Sequence, residues 1–244
     1  MLLRRISTHV KEQNWFAVFL DFFIVVIGVF IGLQVANWNE VRAGEERLRS
    51  QLVSFQTELI MARSDLDKLE AYYTAQSVAA AELRLRLAAD DPTLTEDEFN
   101  RLAFSASLER PFIVRYRNFE ELSTSGALAR ISDDELRNLL FRWDNQLTDI
   151  RSNDVSTDRF RSAAMIPVYA STVVFGNAFQ QDERYSDFSR TDRFEFDVDA
   201  IASNLEFDNA ISMLDLTARQ RIELLVEFRV TSEELIAALE KSAP

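Results

Sequence analysis

Cysteine is absent from the sequence, so neither a disulfide nor a thiolate metal site belongs to this chain. That absence suits either side of a bacterial membrane. Histidine occurs once, as His9, ahead of a long apolar run. A Ser–His–Asp arrangement and a zinc site built from His or Cys are therefore excluded beyond that run. Glycine (5) and proline (4) are scarce among 244 residues, which argues against a turn-rich β fold, a collagen-like chain or a long disordered linker. No G-x-x-x-x-G-K-[ST], G-x-G-x-x-G or G-x-S-x-G occurs. The acidic stretch "DDPTLTEDE" (90–98) lacks the central glycine and the spacing of an EF-hand loop, and its acids read as helix-start charges. A formal net charge of −13 would repel phosphates, so no nucleic-acid partner is expected. No catalytic residue, cofactor or metal is expected and the chain is not read as an enzyme; only a carboxylate-pair glycosidase stays formally open.

What the sequence does contain is "NWFAVFLDFFIVVIGVFIGLQVANWNE", residues 14–40. From Trp15 to Ala36 only Asp21 and Gln34 interrupt the apolar and small residues. At about 1.5 Å per residue that run spans roughly 33 Å as a helix, enough for a bilayer core. A secretory signal has a shorter apolar region and an A-x-A-like exit, which "QVANWNE" does not supply. Trp15 and Trp38 stand at the two ends, where indole rings favour the headgroup layer. The reading is a transmembrane helix over 14–38, with a short cytoplasmic tail at 1–13 and a periplasmic domain at 39–244. Arg4, Arg5 and Lys11 before the span nearly balance Arg42, Arg47 and Arg49 after it. The orientation, N-terminus in the cytoplasm of a bacterial inner membrane, rests on the acids that follow the span and on the ease with which a long C-terminal domain crosses.

Asp21, Val25, Gly28 and Gly32 recur at i, i+4, i+7 and i+11 and so share one helix face. Gly28 and Gly32 form a G-x-x-x-G, which lets two helix backbones approach closely. Asp21 lies about 9 Å in from Trp15, too deep for a short side chain to reach water easily. The face is read as a helix–helix interface in which the acid meets protein rather than lipid. A proton or ion-coupling role for Asp21 and tolerance through local bilayer thinning stay open beside it.

Beyond the membrane, residues 41–90 contain no proline and one glycine, Gly44, a possible bend. Leu48, Leu52, Phe55, Leu59, Ala62, Leu66, Leu69, Tyr73, Gln76, Ala80, Leu83 and Leu87 fall alternately four and three apart, an inward seam with one polar break. This stalk helix over 41–90, stopped by "DDP", either self-associates as a parallel coiled coil or buries its seam against later helices of the same chain. The second arrangement is favoured because those later helices are also amphipathic.

Thr95 with Glu98 and Ser132 with Glu135 match the capping-box spacing. The first predicts a short helix carrying Phe99, Leu102 and Ala106. The second predicts a long one carrying Leu136, Leu140, Trp143, Leu147 and Ile150, with a kink or stop near Pro167. Between them an extended "FIV" (112–114) and a helix through 120–122 closing near Gly126 are expected. Residues 176–197 read as a long loop. Terminal helices over about 198–240 turn Phe207, Ile211, Leu214, Leu225, Phe228, Leu235 and Leu239 inward. The expected fold is all-α: one N-terminal transmembrane helix continuing into an elongated extracytoplasmic helical bundle (95–244). Arg110, Arg115, Arg117, Arg130, Arg137 and Arg142 could form an anion-binding patch, with ordinary ion pairing to the surplus acids as the simpler expectation.

The run "IGVFIGLQVANWNE", preceded by an acid, resembles the start of an uncharacterised family of bacterial single-pass membrane proteins whose helix ends in Leu-Gln-x-x-Asn-Trp-Asn-Glu. "FEELSTSGALARISDDELRNLL" (119–140) is similar to that family's "EEL-x-x-SG-x-L" block and following helix. The resemblance covers these two blocks; it implies an anchor and a helical extracytoplasmic domain, and no catalytic residue. The function expected is a membrane-anchored interaction or scaffold protein. It would meet the lipid bilayer and associate through its helix with itself, as a homo-oligomer, or with other membrane protein subunits. The alternatives are an accessory subunit of an ion-driven complex using Asp21, and an extracytoplasmic sensor or ligand-binding module.

Overall fold

The computed structural model describes residues 15–89, 91, 93–173, 177 and 196–242, and every regular element among them is helical. Helix α1 is Trp15–Ala88, α2 Glu96–Ser107, α3 Arg117–Thr124 and α4 Asp134–Phe160. A single 3-10 turn, Ala127–Arg130, lies between α3 and α4. After a π turn at Arg161–Met165 come α5 Ile166–Thr172, α6 Val198–Ala202 and α7 Leu205–Ser242. The chain divides into two units, Met1–Gln51 and Leu52–Pro244. The tail 1–13, with His9, and the expected loop, apart from Asn177, Phe196 and Asp197, lie outside the described residues.

In the first unit the side chains from Phe19 to Ala43 are exposed without exception. This helix is long and apolar enough to cross a membrane.

In the second unit the inward seam of α1 is buried from Phe55 to Leu87, against later helices of the same chain. α7 runs along it, and the cross-links fix an antiparallel register. Gln56 Nε2 donates to the Ile236 carbonyl at 3.2 Å, and Arg63 pairs with Glu233. Arg229 pairs with Glu70 at 3.2 Å, the Ser77 hydroxyl donates to Asp215 at 2.5 Å and Arg84 meets Asp208 at 3.1 Å. Residue numbers rise along one helix as they fall along the other. The exposed ion pairs each contribute little and mark the register more than they hold it. Apolar burial holds it.

Among the described residues two groups of side chains stand out in the core. Around Trp143, fully buried on α4, the rings of Phe55, Tyr116, Phe119 and Phe228 stand at centroid distances of 5.2, 4.7, 4.8 and 5.1 Å. Four of these five aromatic residues sit on different helices, so one cluster ties α1, α3, α4 and α7. The indole N–H donates to the Ser232 hydroxyl at 2.9 Å, satisfying the one polar atom of the ring. The second group joins Ala80 and Leu83 of α1 to Phe99, Leu102 and Ala103 of α2, Tyr169 of α5, and Phe207 and Ile211 of α7. Gln76, the polar break in the seam, donates to the carbonyls of Ala106 and Leu108 at 2.8 and 2.9 Å, and so caps the end of α2.

Local signals explain the helix boundaries. Thr95 and Glu98 form the expected capping box on α2. α4 starts one residue later than expected: Asp133, not Ser132, is the N-cap, accepting from the backbone N–H groups of Glu135 and Leu136 at 2.9 and 3.1 Å. A charged carboxylate outcompetes a hydroxyl at the positive end of a helix. Gly126, with φ of 72°, supplies the left-handed turn after α3. Pro167 does not end the helical path. The π turn before it sends the Ile166 N–H back to Arg161, which moves the carbonyl that the proline ring would strike. Residues 108–116, where an extended piece was expected, are irregular and pair with no strand among the described residues.

Ahead of α2, Asp91 accepts from the Thr93 hydroxyl (2.6 Å) and N–H (2.9 Å) and from Arg86 (2.8 Å). These hydrogen bonds, led by those of Thr93, lower its pKa from 3.8 to about 2. A lowered folded pKa means that the carboxylate stabilises the fold fully above pH 3.8 and loses that effect as the pH falls toward 2. Acid titration of folding should therefore show a loss in this window that Asp91→Asn flattens; identical acid limbs for the two proteins would contradict the assignment.

Candidate functional site

The residues singled out in the apolar segment lie on the outside of α1. Asp21, Val25, Gly28 and Gly32 are all exposed, and Asp21 makes no hydrogen bond or ion pair among the described residues. A Cβ built on Gly28 or Gly32 would meet no atom within 4 Å. The glycines therefore leave room that no described residue fills. Trp15 begins the helix, its side chain outside the described residues. Trp38 is exposed, with the Arg42 guanidinium 5.8 Å from its ring. Phe19 and Phe23 stack along the same helix at 6.0 Å.

The second unit holds a charged cluster that sequence reasoning missed. Arg221 of α7 is only 5% exposed. Its guanidinium reaches Glu109 at 2.9 Å, Asp154 of α4 at 3.0 Å and the Tyr73 hydroxyl of α1 at 2.5 Å, and it lies 5.0 Å from the Tyr73 ring centre. Glu109 is shared with Arg161 at 3.1 Å, and Arg161 also donates to the Ser107 carbonyl. Asp154 accepts from the Phe112 N–H at 2.6 Å, and Tyr73 donates to the Arg110 carbonyl. Two cations and two carboxylates thus neutralise each other while fastening the irregular segment 108–116 to three helices.

Burial pushes the Asp154 carboxyl above its usual range, with the Phe112 N–H and Arg221 pulling the other way. Burial also raises the Tyr73 phenol well above its ordinary value. The cavity beside Tyr73, Asp154 and Arg221 measures about 10 Å³, too small for a substrate. The cluster therefore acts as an electrostatic clasp. A signal for it exists in the sequence: Leu214, Ala218, Arg221, Leu225 and Phe228 keep the four–three spacing, so Arg221 occupies an inward position of α7.

A 400 Å³ apolar pocket adjoins the cluster, lined by Phe104, Leu108, Met165, Ile166, Tyr169 and Leu214 beside Glu109 and Arg161. Among the described residues no group of three or more His, Asp or Glu side chains is placed to hold a metal ion.

The six arginines noted as a patch do not act as one. Arg137 pairs with Asp134 and donates to the Ile131 carbonyl at 2.9 Å, and Arg142 reaches Glu234 at 3.4 Å. Arg110 lies 4.9 Å over the Tyr72 ring. Arg115, Arg117 and Arg130 are exposed and make no ion pair among the described residues.

Compared with family models, with curated proteins and with solved structures, the chain matches none.

Removing Arg221 would leave Asp154 buried without its cation. Arg221→Met is expected to lower unfolding free energy by about 3–5 kcal/mol in urea titrations. Adding Glu109→Gln and Asp154→Asn should recover most of that loss. A single-variant cost below about 1 kcal/mol, the scale of an exposed pair, would show that the cluster is not a clasp.

Proposed function

We propose that this protein is a membrane-anchored interaction or scaffold protein of a bacterial inner membrane, with its N-terminus in the cytoplasm and its helical body in the periplasm. Helix α1 crosses the bilayer once and associates there with a second copy or with subunits of a larger membrane complex. The observation that carries this reading is the bare surface of the span. A carboxylate and two glycines lie on one face, with no described residue against the glycines. In hydrocarbon an unpartnered carboxylate is costly, and a partner helix offers the cheapest source of hydrogen bonds. The resemblance of "GLQVANWNE" and the 119–140 block to single-pass bacterial proteins supports the same architecture.

A second reading rests on Asp21 alone, as a proton-carrying group of an ion-driven complex in which this chain is an accessory subunit. The two readings separate by substitution. Asp21→Leu and Gly28→Ile are expected to abolish co-purification of partner chains from mild detergent, while the circular dichroism of the body is unchanged. Retention of every partner by both variants would remove the interface. Asp21→Asn preserves a hydrogen-bonding group; association kept with cellular function lost would favour the ion-coupled reading.

A further inference from the structure

Segment 108–116 is held at many points and bare in the middle. Gln76 takes the carbonyl of Leu108, Tyr73 that of Arg110, and Asp154 the N–H of Phe112. Just beyond, Glu58 takes the N–H of Asn118 at 3.1 Å. Between these anchors, the main-chain N–H and C=O groups of Ile113, Val114 and Arg115 make no hydrogen bond to any described residue. A short stretch of backbone is thus fixed in place with its polar groups unused. It borders a groove of about 760 Å³ against α1.

The groove combines apolar rims with two arginines on the side of segment 108–116. Ile113 is 77% exposed on one rim and Met61 73% on the other, over a floor that includes Leu69. The groove also holds two acids, each with a hydrogen-bond partner other than these arginines. Glu58 accepts from Asn118 at the start of α3, and Asp65 pairs with Lys68 at 3.1 Å. Arg110 and Arg115, on either side of Ile113, have no carboxylate partner among the described residues. Unpaired guanidiniums occur elsewhere in the chain, at Arg117 and Arg130; here two of them flank a fixed, bare backbone.

We propose that this groove binds an extended peptide segment of a partner protein, with an apolar residue seated between Ile113 and Met61 and acidic residues on either side of it. Peptide main chain satisfies the groups at 113–115, as when a strand is added to an exposed edge. The acids meet Arg110 and Arg115 through charge-assisted hydrogen bonds. A phosphate or lipid headgroup would use the arginines but leave Ile113, Met61 and the backbone groups unanswered. The site lies in the folded body and does not depend on association through the membrane helix.

The test uses the full chain in neutral detergent micelles and a fluorescein-labelled acetyl-Asp-Val-Ile-Val-Glu-amide probe, read by anisotropy. Saturable binding is expected, with the analogue carrying lysine in place of both acids at least about tenfold weaker. Arg115→Glu should reverse that preference, and Ile113→Ser should weaken the acidic probe by about tenfold. Both positions are exposed, and unchanged circular dichroism verifies folding. Absence of saturable binding, or equal binding of the two peptides, overturns the proposal. Displacement of the probe by anionic-lipid vesicles, with Ile113→Ser indistinguishable from the parent, also overturns it and assigns the arginines to a headgroup.

Discussion

Burial of the α1 seam against α7 is the contact from which the rest of the body follows. An isolated helix with this seam would leave a row of large apolar side chains in water, and helix propensity alone contributes too little to offset that. α7 answers it with its own inward row, running the opposite way. Once the two are paired, α4 fits into the remaining side through Trp143, and α2 and α3 cap what is left. The antiparallel register recurs in contacts from Gln56–Ile236 at one end to Arg84–Asp208 at the other, so it is a property of the whole interface.

Polar residues at inward positions decide how the irregular parts attach. Gln76, Arg221 and Ser232 all occupy places where the spacing calls for an apolar side chain. Each makes a defined set of bonds there. Gln76 takes the carbonyls at the end of α2, Ser232 takes the Trp143 indole, and Arg221 gathers Glu109, Asp154 and Tyr73. Replacing such groups by apolar ones could pack as well, but would leave segment 108–116 without its fasteners. That segment, once fastened, presents the exposed Ile113 and its unused backbone groups. The buried clasp and the open groove are consecutive consequences of one irregular stretch.

The helical bundle was legible because its signal is periodic. Phe55 to Leu87 in α1, Leu136 to Ile150 in α4 and Phe207 to Leu239 in α7 keep the four–three spacing and are buried accordingly. Capping was legible where one residue type dominated, as at Thr95, and missed by a residue where Ser132 and Asp133 competed. Near Pro167 an interruption was legible, and the regular α-helix does give way at Arg161–Met165, but its form, a π turn, is not written in residue type. The charged cluster was legible only in part: the spacing turns Arg221 inward but does not name its partners. Glu109, Asp154, Arg161 and Arg221 are far apart in sequence, and only the fold brings them together. In the apolar segment the glycine face was readable from spacing.

The pairing of α1 with α7 within one chain is open to a direct measurement. Because the protein has no cysteine, Arg63→Cys with Glu233→Cys introduces the only two thiols. A short bismaleimide added to dilute full-length protein in detergent should join them within the chain, giving a monomer-sized product that keeps its link after proteolysis between the helices. Products of dimer size alone, with no internal link at any dilution, would mean that the seam of α1 is buried against a second copy, and would contradict the account.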